Sequence, residues 1–347
     1  MINNVYQLVA PKTIAVKFED VQTEGKILVR PRCMALCHAD QRYYQGKRDP
    51  EVMKKKLPMA LIHECMGEVL EDPTGTYKPG DPVVMIPNVP GKGPDYIYEN
   101  YAKGSGFLSS GRDGFMRELV NLDPDRVVSC AGVPEHIAAI TEFVSHRIKT
   151  TECMCGNAHK FRRFDAVAHA TRNRIAIIGD GSMGYCVACM LSIMAPESDL
   201  IVIGRNADKL SMFSFVKERY LTNEVPDDLT FDHAFECCGG EGSGPAIDMV
   251  IAHIAPQGTL MLLGVSENPV PVYTRNVLEK GMTLVGCSRS GRGDFEVAVE
   301  AMRHPDMQNR LSQIIHVAGE VHNVKDIKKV FATDMLTPFK TVFEWCV

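Results

Sequence analysis

The hydrophobic rhythm of the chain changes part-way along. Up to about residue 145, short apolar runs such as Lys26-Ile27-Leu28-Val29-Arg30 and Pro82-Val83-Val84-Met85-Ile86 sit between Gly, Pro and Asp, which predicts a β-rich unit. From Arg174, strand-like runs alternate with longer helix-compatible segments, the pattern of a parallel sheet covered on both faces. Its predicted strands are Arg174–Ile178, Leu200–Ile203, Phe231–Glu236, Thr259–Gly264 and Met282–Gly286. The tail ends in Phe339-Lys340-Thr341-Val342-Phe343-Glu344-Trp345, a closing strand that could return to the first unit. The chain carries no internal repeat, low-complexity tract or long linker.

The first of these strands runs into Gly179-Asp180-Gly181-Ser182-Met183-Gly184, followed by the apolar segment Tyr185 to Met194. A Gly-x-Gly-x-x-Gly turn between a buried strand and a helix predicts a Rossmann-type doubly wound sheet that binds a dinucleotide. Lacking side chains, Gly179 and Gly181 let the backbone turn and a pyrophosphate approach, and Gly184 lets helix and strand pack closely. Ser182 and Met183 open the helix, whose first amides face the anion. The second strand ends in Gly204-Arg205, where an NAD enzyme would place an acid for the ribose hydroxyls. Arg205, with Lys209 one turn on, suits a 2'-phosphate instead, so the expected cofactor is NADP(H).

Composition narrows the class. The 347 residues suffice for two domains, and a formal charge of -5 with a pI near 6.1 gives no sign of a nucleic-acid or membrane-surface partner. The N-terminus lacks the basic start and apolar core of a signal peptide, and no apolar run nears the roughly 20 residues of a spanning helix, so a cytoplasmic protein is expected. Twelve cysteines then read as buried thiols, metal ligands or reactive groups rather than a disulfide framework. Two loops stand out. Asn88 to Gly111 is rich in Pro, Gly, Ser and Tyr, the composition of a lid or subunit contact; His146 to Arg163 reads as a basic helix-loop whose Cys153 and Cys155 lack metal-clip spacing.

Cys37, Asp40, His63, Glu64 and Glu142 carry the candidate chemistry. A thiolate, an imidazole and carboxylates from separate segments match the ligand types of a catalytic zinc, and Asp40 could orient a ligand from behind. By spacing alone, a buried Cys, a core His and solvent-facing acids fit as well.

The ordered set Cys37-x-x-Asp40, His63-Glu64-x-x-Gly67-x-Val69, Lys78-Pro79-Gly80-Asp81-x-Val83, Gly114-Phe115-Met116-Arg117-Glu118-Leu119-Val120 and Gly179-x-Gly181-x-x-Gly184 resembles the zinc-dependent medium-chain dehydrogenase/reductase family over nearly the whole chain. The stretches Ala39 to Tyr44, Asp232 to Cys237, Leu278 to Gly281 and Ser288 to Gly291 resemble, within it, the bacterial ribulose-5-phosphate reductases. The resemblance implies an α/β chain: a GroES-like catalytic domain from residues 1–145 and 300–347, and a Rossmann domain at 146–299. It also implies one catalytic Zn2+ at Cys37, His63 and Glu64 or Glu142. The activity implied is NADPH-dependent reduction of D-ribulose 5-phosphate to D-ribitol 5-phosphate, for CDP-ribitol and teichoic acid or capsule synthesis. A homodimer or homotetramer is implied, with a pathway cytidylyltransferase as a conceivable partner.

Departures from the family are visible too. No cysteine follows Pro87 in the lobe that holds a structural zinc in alcohol dehydrogenases, Ala39 and Arg42 stand at positions of the usual proton relay, and Ile62 replaces the usual Gly before His63. Proton delivery then falls to metal-bound water with Glu64, or to Tyr43. For a small phosphorylated substrate the candidate cations are Arg42, Lys47, Arg48, Arg112, Arg289 and Arg292. The rivals are an NAD(P)-dependent polyol or alcohol dehydrogenase acting on an unphosphorylated substrate and a non-catalytic NADPH-binding redox sensor.

Overall fold

A computed structural model describes residues 1–22, 24–94, 97–145 and 174–347. The readings of His146 to Arg163, Cys153 and Cys155 among them, lie outside the described residues. The chain divides into two compact units, Met1–Ser145 with Arg289–Val347, and His146–Ser288.

In the first unit, β1 (Ile2–Ala10) pairs antiparallel with β2 (Thr13–Asp20) and with the short β4 (Met59–Ala60), which follows β3 (Ile27–Ala35) in the chain. The main sheet holds β3, β5 (Glu64–Glu71) and β6 (Pro82–Met85). A hairpin of β7 (Asn88–Val89) and β8 (Gly106–Phe107) stands apart, and β9 (Val120–Leu122) and β10 (Val127–Ser129) complete the N-terminal strands by pairing with β3 and β6. Phe115, Met34, Val69 and Ile27 are among the side chains that fill the core. The loop between β7 and β8 is tied down by Glu99, whose carboxylate takes Arg126 Nη1 at 2.7 Å and Nη2 at 3.1 Å. Such a bidentate, half-buried pair fixes geometry more firmly than a single surface contact.

The second unit is a six-stranded parallel sheet in the order β13-β12-β11-β14-β15-β16, formed by β11 (Arg174–Ile178), β12 (Asp199–Gly204), β13 (Glu218–Leu221), β14 (Phe231–Glu236), β15 (Ile254–Leu262) and β16 (Thr283–Gly286). This is the doubly wound order, reversing direction at β11. The hydrophobic rhythm marks every strand but β13. That edge strand, Glu-Arg-Tyr-Leu, is partly exposed and opens on two charged residues, so no apolar run marks it. β15 begins at Ile254 rather than Thr259 because a register shift lets its first residues join Phe231 of β14.

The tail returns to the first unit as β17 (Ile315–Val321) and β18 (Lys340–Trp345), with β18 antiparallel to β3 and parallel to β17. The return starts at Arg289 and not at 300. The helix Arg292–Met302 buries Phe295, Ala298, Val299 and Met302 and packs on β10, which the sequence pattern did not reveal.

His233 lies on β14 at 2% exposure, and burial pushes its pKa down to about 4 against a small opposing effect of Asp232. Above pH 6.5 both folded and unfolded chains hold it neutral. As pH falls from 6.5 towards 4, only the unfolded chain takes the proton, so stability drops by roughly 3 kcal/mol over that window. His233→Gln is expected to flatten this part of the curve, read as urea midpoints between pH 7 and 4. An equally steep fall in the variant would remove the assignment.

Candidate functional site

Strand register assembles the site in the first unit. Ala35 of β3 faces Glu64 of β5 on one side and Val342 of β18 on the other. The chain leaving β3 therefore delivers Cys37 beside His63 and Glu64, and β18 delivers Lys340 to the same end. Ligand atoms of Cys37, His63 and Glu64 lie within 4.8 Å of one another.

Cys37 caps the helix His38–Tyr44. Asp40, in its first turn, is 1% exposed and braces the site. Its Oδ2 accepts Cys37 N at 3.3 Å and stands 3.4 Å from His63 Nδ1, while Oδ1 accepts Ile62 N at 3.1 Å and Ser109 Oγ at 2.7 Å. Holding Nδ1 fixes the ring, so Nε2 is the nitrogen that a metal at this site would take. Burial opposes protonation of His63, but Asp40 and Cys37 outweigh it and hold its pKa well above the usual value. The Asp40 carboxylate favours any cation placed there. Asp40 stays ionised below the ordinary carboxylate range: burial works against it, and the charge and hydrogen bond of His63, with Ser109 and Ile62, prevail.

Ile62 supports this arrangement under strain. Its φ is +68°, in the left-handed region that a β-branched residue adopts at a cost of about 1–3 kcal/mol, while its side chain is fully buried. The backbone there needs the conformation that glycine takes readily. Ile62 supplies it because its N–H is held by Asp40 and its carbonyl by Phe115 N at 2.8 Å.

Glu64 is fully buried. Lys340 Nζ donates to its Oε1 at 2.6 Å and to Leu36 O at 2.9 Å, and stands 4.5 Å from the centre of the Phe143 ring. Burial works against the charged lysine, but Glu64 and then Cys37 hold its pKa above the ordinary value. Glu64 Oε2 is buried and, among the described residues, has no hydrogen-bond partner. A thiol, an imidazole and an orphaned carboxylate oxygen suit a tetrahedral zinc with one position left open. Glu142 lies outside the set of atoms within 4.8 Å, though its charge also raises Lys340.

Lys340 escaped the sequence reading, although a lysine heading a strand of buried residues was a usable signal. Lys56 was also missed: its Nζ donates to Tyr43 Oη at 3.0 Å and to Ser110 Oγ at 2.8 Å. The predicted cations separate. Arg48 sits 4.9 Å over the Tyr43 ring, and partial desolvation followed by the charges of Arg42, Lys47 and Arg48 lowers the pKa of His38, against Asp334. Arg289, at φ +59°, lies 5.5 Å over Phe107, whose ring is 5.3 Å from that of His63. Arg112 rests on Gly106 of the hairpin. Arg292 is committed to the fold, donating to Val127 O at 2.9 Å and Glu296 Oε1 at 2.8 Å.

In the second unit, the glycine loop closes β11 as the sequence required. Gly179 has φ +129°, and a Cβ on Gly184 would lie 1.9 Å from Gly179 O. A Cβ on Gly181 would meet nothing within 4 Å. The fold itself therefore leaves room for a side chain at Gly181. A cavity of about 710 Å³ lies over the ends of β11, β12 and β14, lined among others by Gly179, Asp180, Gly181, Gly204, Arg205 and Thr222. Ser182 and Met183 form the first turn of the helix Ser182–Met194, and Lys209 N is capped by Asn206 Oδ1 at 3.0 Å; none of the three lines the cavity.

Among the described residues, no helix is long and apolar enough to cross a membrane. The alcohol dehydrogenase GroES-like domain family matches residues 23–134. The chain is 53% identical to ribulose-5-phosphate reductase of Streptococcus pneumoniae over 99% of this chain and 98% of that protein. It is 45% identical to ribulose-5-phosphate reductase 1 of Staphylococcus aureus, covering 99% of each. The crystal structure of S. aureus TarJ in complex with NADPH superposes with a TM-score of 0.83 at 40% identity, covering 100% of both chains. With the GroES-like match, the doubly wound sheet and this full-length likeness together, the chain belongs to the medium-chain dehydrogenase/reductases, in the branch of the bacterial ribulose-5-phosphate reductases.

Proposed function

We propose that this chain reduces D-ribulose 5-phosphate to D-ribitol 5-phosphate with NADPH and one catalytic zinc, providing ribitol 5-phosphate for CDP-ribitol and for teichoic acid or capsule synthesis. The full-length likeness to proteins named for that reaction carries the substrate, and the Cys37–His63–Glu64 donor set supports the chemistry. Bound there, zinc supplies Lewis-acid polarisation of the ketone, and NADPH supplies the hydride.

Cys37, His63 and Glu64 hold the metal in this reading, with Glu142 as an outer carboxylate. Asp40 keeps the His63 ring turned, so the ligand nitrogen needs no reorientation during turnover. Lys340 neutralises one oxygen of Glu64 and leaves the other for the metal. Gly179, Gly181, Gly184 and the helix opened by Ser182 and Met183 receive the pyrophosphate, while Arg205 and Lys209 meet the 2'-phosphate. Arg42, Lys47 and Arg48 around His38 and Tyr43, with Arg112 and Arg289, are the cations for the substrate phosphate. The enzyme works in the cytoplasm as a homodimer or homotetramer, feeding a cytidylyltransferase.

NADPH oxidation with ribulose 5-phosphate should far exceed that with ribulose or fructose, and should vanish on zinc chelation and return on zinc addition. A higher rate with an unphosphorylated ketose and NADH would favour a polyol dehydrogenase. Tight NADPH binding without turnover of any ketose would leave a redox sensor.

A further inference from the structure

The end of β12 is where an NAD enzyme carries the acid that binds the ribose hydroxyls, and here it is Gly204. The space for a side chain is already taken. A Cβ built on Gly204 would lie 2.6 Å from Asp180 Cβ, 2.6 Å from its Oδ2 and 2.8 Å from its Cγ. Asp180 is the residue between the first two glycines of the loop, and it reaches across to the neighbouring strand. Its Oδ2 accepts Arg205 N at 2.6 Å and Asn206 N at 2.7 Å, and among the described residues its Oδ1 has no hydrogen-bond partner. Asp180 and Arg205 both line the 710 Å³ cavity.

We propose that Asp180 is a specificity-determining residue for the cofactor, acting through the turn Gly204-Arg205-Asn206. Two effects follow from its position. While its carboxylate fills the space beside Gly204, no acid can stand at the strand end to hold a 2'-hydroxyl, so the contacts that favour NADH are excluded by packing. Its two bonds to backbone N–H groups also fix the point from which the Arg205 side chain departs. A pre-set turn spares the cost of ordering that arginine when a 2'-phosphate binds. The carboxylate's own charge is directed at two amides, which limits its repulsion of the phosphate. The inference rests on the NADPH reading above and deepens it.

The test is direct binding of NADPH and of NADH, by fluorescence titration on the full chain, with thermal melting as the check on folding. Asp180→Ala is expected to weaken NADPH about tenfold or more, since two charge-assisted hydrogen bonds are lost, and to change NADH by less than about threefold. Asp180→Asn retains an acceptor oxygen and should fall between. Gly204→Asp alone should weaken both cofactors. Combined with Asp180→Ala, which makes room, it should bind NADH about tenfold more tightly than Gly204→Asp alone. An unchanged or increased NADPH preference in folded Asp180→Ala overturns the proposal, as does full NADH affinity in Gly204→Asp alone. A wild-type chain that binds NADH as tightly as NADPH overturns the cofactor reading itself, and the role of Asp180 with it.

Discussion

Cys37→Ser is expected to abolish metal binding at stoichiometric zinc and to lower kcat/KM by about a thousandfold or more, because a serine hydroxyl stays protonated at neutral pH while a Lewis acid contributes several kcal/mol to carbonyl reduction. The fold should survive the change. Cys37 is half-buried and serine is a better helix N-cap than cysteine, so the helix His38–Tyr44 keeps its start. The informative comparison is zinc content by elemental analysis beside ketose-phosphate reduction and NADPH affinity. Loss of zinc and activity with unchanged NADPH binding is the expected pattern. Full zinc content in the variant would show that Cys37 is not a ligand.

The second large effect concerns Lys340. Its side chain is 5% exposed and that of Glu64 is 0% exposed, so the pair is sealed from water. Lys340→Met would leave the Glu64 carboxylate charged and without its cation in the metal-free protein, which costs about 3–5 kcal/mol for a buried pair broken on one side. The double variant Lys340→Met with Glu64→Gln removes the stranded charge and should recover much of that loss. Denaturant unfolding of the metal-free wild type and both variants separates these terms. A single variant within about 1 kcal/mol of wild type would mean that Glu64 is not held as an anion by Lys340. Zinc should narrow the difference, because Glu64 then has another positive partner.

Much of this was legible in the chain, for reasons that differ by residue. β11, β12 and β14 were readable because they are largely buried and so composed of apolar runs; the edge strand β16 is only partly buried but keeps the apolar pair Leu284-Val285, whereas the edge strand β13 opens on Glu218-Arg219 and was missed. Gly179 and Gly184 were readable because one must turn where L side chains do not, and the other must admit Gly179 O to within a distance that no Cβ allows. The residue types at Cys37, His63 and Glu64 declared a possible metal. They could not exclude a buried thiol and a core histidine, since ligand spacing in this fold spans two strands and no local motif defines it. Arg292 looked as good a phosphate ligand as Arg289; only packing shows that its guanidinium is spent on Val127 and Glu296.

By itself the sequence determined the order of the elements, the dinucleotide loop, the absence of an acid at the end of β12 and the residues able to hold a metal. Each of these depends on interactions between near neighbours in the chain, where periodicity and steric demand leave a direct imprint. Tertiary structure decided the rest: the alignment of β3, β5 and β18 that gathers Cys37, Glu64 and Lys340, the strained turn at Ile62 and the reach of Asp180 to the turn after β12. Those contacts join positions 25 to 304 residues apart, and a charge or hydrogen bond between such residues acts only once strand pairing has closed the intervening chain.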